Sequence, residues 1–292
     1  MDIQKINIHI SIIIYLNVNK ILLLFIMQKI LFITTFNEKL YNMTGKNLVN
    51  SFIQNTEDCD LLVCYEDIEF DNNSNRIFSY KINNSEYLNK WLKDNNDNIP
   101  QLYGGNAAND DKRFLLDKKK GQSWARFRAS KYFRKVAAMD YFLNTYQHDY
   151  DIAVVIDSDC IFKKPLKNKV LYDMLSDNTM LYFWSRYRQK INRGPETGFT
   201  VYSKKNDGYK FMNVITDCFI SGDFKKYEYW DDGFVIGKLI KENINNFKFK
   251  DIVGTTPHST TRVMEIPEHP LYGIIHHFKN THATPDELQW LA

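Results

Sequence analysis

Cysteine is scarce in this chain. Cys59, Cys64, Cys160 and Cys218 are the only four in 292 residues, and no two of them stand in C-x-x-C spacing. Neither a zinc cluster nor a disulfide framework is indicated, and the four read as reduced thiols. Long runs of one charge are missing as well. The 38 basic and 35 acidic residues leave a net charge of +3, and Lys118-Lys119-Lys120 reads as a solvated loop. Nothing here would track a nucleic-acid backbone, so no nucleic-acid partner is expected. There is no internal repeat and no Pro- or Ser-rich linker, which argues against several domains. What the chain does have is a composition 44% hydrophobic and 15% aromatic, enough to bury a full core.

An uninterrupted membrane span is also lacking. Residues 8–26 are apolar at first sight, but Lys20 falls in the middle and Asn17 and Asn19 flank it. A lysine at mid-bilayer costs roughly 2.5–3.5 kcal/mol. Met27-Gln28-Lys29 then runs at once into the apolar Ile30–Thr34, leaving no stem between a span and the first core strand. Residues 1–26 are therefore expected to be an upstream extension, with 27–292 the catalytic domain and the protein cytoplasmic. A membrane anchor is the alternative reading.

From Lys29 onward, apolar strands alternate with helical stretches, which predicts an α/β domain with a mixed, mostly parallel sheet flanked by helices. Expected strands are Ile30–Thr34, Leu61–Tyr65, Arg76–Tyr80, Ile152–Ile156, Met180–Trp184, Phe199–Tyr202, Phe247–Val253 and Gly273–His277. Helices are expected around Leu48–Gln54 and over Tyr209–Cys218 and Asp232–Lys241. Residues 94–121 carry no periodicity and read as a loop or lid with Gly104-Gly105 as a hinge. The strongest helix signal is Trp124–Tyr146, where Ala125, Ala129, Tyr132, Val136, Met139 and Leu143 make one apolar face. Arg128, Lys131 and Lys135 form a second, basic stripe, either a solvated face or a contact to a diphosphate.

The most informative segment is Asp157-Ser158-Asp159, directly behind the apolar run Ile152–Ile156. Two carboxylates flanking one residue at the end of a buried strand are costly unless a cation or donors meet them. Mn²⁺ or Mg²⁺ is the natural partner, because hard cations take few protein carboxylates and leave positions for phosphate oxygens. For an isolated triplet of this kind the alternative is an Asx-turn or a helix cap.

With its flanks and the segments that follow, the chain resembles the glycosyltransferases of the GT-A fold, which hold a divalent metal on a nucleotide-sugar diphosphate with a D-x-D motif. The similarity runs from about Gln28 to about His282 and is best from Phe133 through Phe162. Three weaker matches follow in order: Glu196-Thr197-Gly198-Phe199, Tyr229-Trp230-Asp231-Asp232-Gly233 and Ile275-His276-His277-Phe278-Lys279. The resemblance implies a GT-A type, Rossmann-like sheet and transfer of a sugar from a nucleoside diphosphate sugar to the hydroxyl of a glycan, protein or lipid acceptor. It assigns Asp157, Asp159 and His277 to the metal, with His276 in reserve. It places Gly198 beneath the donor sugar and Asp232, Asp231 or Glu196 as the base toward the acceptor. Arg128, Lys135 and Lys279 are implied diphosphate contacts, and Thr34, Thr35, Phe36 and Tyr41, at the exit of the first strand, the pocket for base and ribose. Asn280-Thr281-His282 departs from the usual Gly and later Lys-Pro-Trp, which bears on the third ligand and the phosphate lysine. A nucleotidyltransferase acting on a sugar phosphate would carry a Gly-rich phosphate loop after the first strand, and Thr34–Lys39 has no glycine. An inactive sugar-nucleotide-binding relative would lose metal ligands, and all three are present.

Overall fold

The computed structural model describes residues 29–95, 129–190, 192–253, 267 and 269–278. The 1–26 extension, the Gly104-Gly105 hinge, Arg128 and Lys279 lie outside the described residues. A seven-stranded sheet runs in the order β3-β2-β1-β4-β7-β6-β8. Its strands are β1 (Ile30–Phe36), β2 (Cys59–Tyr65), β3 (Ile77–Lys81), β4 (Ile152–Ile156), β6 (Met180–Phe183), β7 (Glu196–Ser203) and β8 (Phe249–Asp251). β1 pairs in parallel with β2 and β4, as β2 does with β3 and β6 with β8, whereas β7 enters antiparallel between β4 and β6. The sheet is thus mixed and mostly parallel, as the alternation of strands and helices implied.

The central strands read as continuous apolar runs because both faces are covered. Leu31, Ile33, Ala153 and Val155 pack into one core with the helices Ala129–Thr145, Gly208–Ile220 and Asp232–Glu242. Ile30, Phe32, Ile152 and Val154 pack into the other with the helices Lys46–Asn55 and Asn168–Leu175. The Ala129–Thr145 helix is seated by aromatic contacts: Phe133 stacks on Trp91 at 4.1 Å, and Phe142 meets Tyr209 edge-on at 5.1 Å. Trp91 in turn donates its indole N–H to Phe219 O at 2.8 Å, so the ring is buried with its polar atom satisfied.

One strand pair stands apart. β5 (Cys160–Phe162) and β9 (Ile275–His277) form a separate antiparallel ribbon in which Cys160 faces His277 and Phe162 faces Ile275. The late strand anticipated at Gly273–His277 therefore does not join the main sheet. It folds back on the three residues that follow Asp159, which brings both ends of the chain's acidic and histidine motifs to one corner. Among the described residues, no helix is long and apolar enough to cross a membrane.

Candidate active site

Asp157 leaves β4 with its backbone still in the ladder, since its N–H donates to Gly198 O at 2.9 Å. Cys160 N then donates to Asp157 O at 3.1 Å, closing the turn, and Phe278 N donates to Asp159 O at 2.8 Å. The turn is pinned from β7 and from the end of β9, and neither carboxylate needs its own side-chain partner to hold it in place. Both stay about a third exposed, at 31% and 30% for the side chains.

His277, only 9% exposed, points its Nε2 at Asp159 Oδ1 at 3.0 Å and at Asp157 Oδ2 at 3.8 Å. Burial disfavours its charged form, but the hydrogen bond and charge of Asp159 and then the charge of Asp157 outweigh burial and raise its pKa above the usual 6.5. The corner draws positive charge. Gly198 makes room for the ring: a Cβ at that position would lie 2.2 Å from His277 Cε1, so only glycine admits the imidazole.

Of the two readings of the basic stripe, a solvated face or a diphosphate contact, Lys135 contradicts the first. Its side chain is 14% exposed, and Nζ bridges Asp157 Oδ1 at 2.6 Å and Asp232 Oδ2 at 2.8 Å. Burial alone would depress the ammonium, yet the charges of Asp157 and Asp232 push its pKa well above the ordinary lysine range. It also donates to Thr197 O at 3.2 Å. Thr197 Oγ1 donates to the same Asp232 oxygen at 2.8 Å, and the other Asp232 oxygen accepts from Gly233 N at 2.9 Å. Asp232 is 3% exposed, with donors on both oxygens. Asp231 caps the helix Asp232–Glu242, accepting from Phe234 N at 2.9 Å.

Glu196 opens β7 and pairs with Arg188 Nη1 at 3.0 Å. The same guanidinium donates to Gly194 O at 2.7 Å and Pro195 O at 3.2 Å, strapping the backbone that delivers Thr197 and Gly198. Gly194 packs so closely on the Asp232–Glu242 helix that a Cβ there would fall 1.8 Å from Gly233 O. That contact sets Asp232 beside Thr197. Neither Arg188 nor Thr197 was singled out from the sequence, and no spacing or periodicity marks them.

The rim at β1 differs from expectation. Phe36 is 2% exposed and sits against Tyr41 at 5.1 Å and Phe70 at 5.7 Å. It belongs to the core and offers no face to a nucleobase. Thr34 is buried, its Oγ1 without a partner among the described residues, Thr35 is half-buried, and Tyr41 is half-buried beside Phe70.

The residues present fit a hard divalent cation. Asp159 Oδ1 is buried and meets His277 Nε2 at 3.0 Å, and ligand atoms of Asp157, Glu196 and His277 lie within 4.8 Å of one another, as do those of Asp159, Cys160 and His277. Cys160 is the poorest donor of these. Burial holds its thiol protonated, and Sγ already donates to Gly198 O at 3.6 Å. With Glu196 occupied by Arg188, oxygens of Asp157 and Asp159 and His277 Nε2 remain. Lys135 offsets one of the charges on Asp157, Asp159 and Asp232, leaving two for a cation to balance.

No protein-family model matches the chain, and no curated protein matches it. Solved structures similar to it include mouse xyloside xylosyltransferase 1 in its apo form, at 9% identity over 76% of this chain and 84% of that one, with a TM-score of 0.43. The bifunctional glycosyltransferase WbbM, apo, is similar at 13% identity over 91% and 52%, TM-score 0.48. GlyE of Streptococcus pneumoniae TIGR4, a glycosyltransferase in its apo form, is similar at 12% identity over 87% and 54%, TM-score 0.44. The chain spans about half the length of the latter two.

Proposed function

We propose that this chain is a metal-dependent glycosyltransferase of the GT-A type, moving a sugar from a nucleoside diphosphate sugar to an acceptor hydroxyl. The observation that carries the reading is the convergence of Asp157, Asp159 and His277 at the carboxyl end of β4, with Gly198 cut away beneath the imidazole. Ligand crevices in sheets of this kind lie at the carboxyl ends of the strands.

Mn²⁺ or Mg²⁺ bound by these three side chains would supply Lewis-acid stabilisation of the charge that builds on the leaving diphosphate. The chain's own residues do the rest. Lys135 holds one oxygen of Asp157, so the other is aimed at His277. Asp232 and Thr197 fix Lys135, and in this role Asp232 positions the ammonium instead of taking a proton. Removal of the acceptor proton then falls to Asp231, which is half-buried, since Glu196 is held by Arg188. Thr35 and Tyr41 stand at the exit of β1, where base and ribose would sit, with Lys279 and Arg128 as further phosphate contacts.

A donor screen by thermal shift, run with Mn²⁺ and again with EDTA, tests the reading. A nucleoside diphosphate sugar that binds at a hundredfold its Kd stabilises by about 2.7 kcal/mol. A shift with UDP- or GDP-sugars in Mn²⁺, abolished by EDTA, is expected; no shift with any donor overturns the assignment.

A further inference from the structure

At the opposite end of the β5/β9 ribbon from Asp159 and His277 lies a groove of about 720 Å³, lined by the Lys46–Asn55 helix and by the chain segments at Phe162 and Gly273. Phe162 is three residue steps along the strand from Asp159, which at about 3.3 Å each sets the groove roughly 10 Å from the corner.

Its helical wall carries Asn47, Asn50 and Gln54, spaced by three and four residues and so on one face. None of these amides hydrogen-bonds another described residue, whereas Ser51 and Asn55 on the same helix are spent on the backbone of Phe162. Across from them Tyr272 is 47% exposed. Lys164 lies over Gly273, where a Cβ would sit 3.2 Å from its Nζ, and Gly273 takes a φ of +65° that keeps this rim bare. Among the described residues no carboxylate lines the groove, and Lys164 makes no ion pair.

Each free amide presents a donor and an acceptor side by side, a match for neighbouring sugar hydroxyls. An exposed tyrosine offers a flat apolar face with a polar tip, and the uncommitted ammonium favours a negative substituent. We propose that this groove is a second carbohydrate site, holding a stretch of oligosaccharide that carries carboxylates. That the bound stretch is the far part of the acceptor rests on the glycosyltransferase reading; binding in the groove does not.

Isothermal titration of the full chain with hexagalacturonate and with maltohexaose, no nucleotide sugar present, tests it. Saturable binding of hexagalacturonate is expected, with maltohexaose about tenfold weaker. Tyr272→Ala and Gln54→Ala should each weaken hexagalacturonate binding about fivefold. Lys164→Ala should erase the preference for the anionic chain, and all three variants should keep wild-type circular dichroism and donor hydrolysis. No saturable binding, equal affinity for the two probes, or variants that bind as wild type would overturn the proposal. Groove binding without any donor hydrolysis by the wild type would leave the groove standing and remove only its link to an acceptor.

Discussion

Gly198→Ala separates a steric requirement from a general loss of stability. Gly198 is buried in β7 with no positive φ, so alanine suits the backbone, and the whole cost arises from the new methyl group at 2.2 Å from His277 Cε1 and 2.8 Å from both ring nitrogens. Relief needs a displacement of about 1 Å or more to reach van der Waals distance. The ring is 9% exposed and wedged in the β5/β9 ribbon, so overpacking of about 1–3 kcal/mol is expected. Loss of glycine entropy from the unfolded chain returns about 0.4–1 kcal/mol. The net destabilisation should be about 1–2 kcal/mol, with a melting shift of about 2–4 °C per kcal/mol in a protein of this size. Urea unfolding in EDTA, run on Gly198→Ala, His277→Ala and the double variant, measures the coupling. In the His277→Ala background the added methyl should cost nothing or stabilise slightly. An equal deficit in both backgrounds, or none in either, would refute the packing of Gly198 against His277.

Two other consequences concern buried charge. Lys135→Met removes the cation that bridges Asp157 and Asp232 and should cost about 3 kcal/mol or more, part of it recovered in Lys135→Met/Asp232→Asn; full stability in chemical denaturation would contradict the bridge. His269, 9% exposed, has its pKa pushed down to about 4 by burial, and its Nδ1 accepts from Leu271 N at 3.1 Å. Because the folded value lies below the unfolded 6.5, stability is whole above pH 6.5 and falls as the pH drops toward 4, by about 1.4 kcal/mol per unit at most. His269→Asn keeps an acceptor without the titration, and should be less sensitive to pH than the wild type over that window. Parallel curves would discard this role for His269.

Much of the scaffold was legible because β1, β2 and β4 are covered on both faces and so read as unbroken apolar runs. Ranges fell within a few residues of Ile30–Phe36, Cys59–Tyr65 and Ile152–Ile156. The placement of β7 between β4 and β6 was not legible, since strand order depends on contacts far apart in sequence. β5 is three residues long, too short for any periodicity, and without it nothing says why His277 returns to Asp159. The helices Glu86–Asn95 and Asn168–Leu175 also went unread. At the site, the order of Asp157, Asp159, Gly198, Asp232 and His277 could be seen, but their polarity could not. Lys135 is one turn from Lys131 and reads as a basic stripe, while in the fold the carboxylates of two distant elements close on it. Phe36 is the reverse case, an aromatic at a crevice strand end that Tyr41 and Phe70 draw into the core.

The most direct test of the central claim is hydrolysis of UDP- and GDP-sugars by the wild type and by Asp159→Ala, each with Mn²⁺ and with EDTA. The wild type should release nucleoside diphosphate only with the metal present, and Asp159→Ala should fall to background in both conditions. Equal turnover by the variant, or turnover unaffected by EDTA, would contradict a metal centre at Asp157, Asp159 and His277.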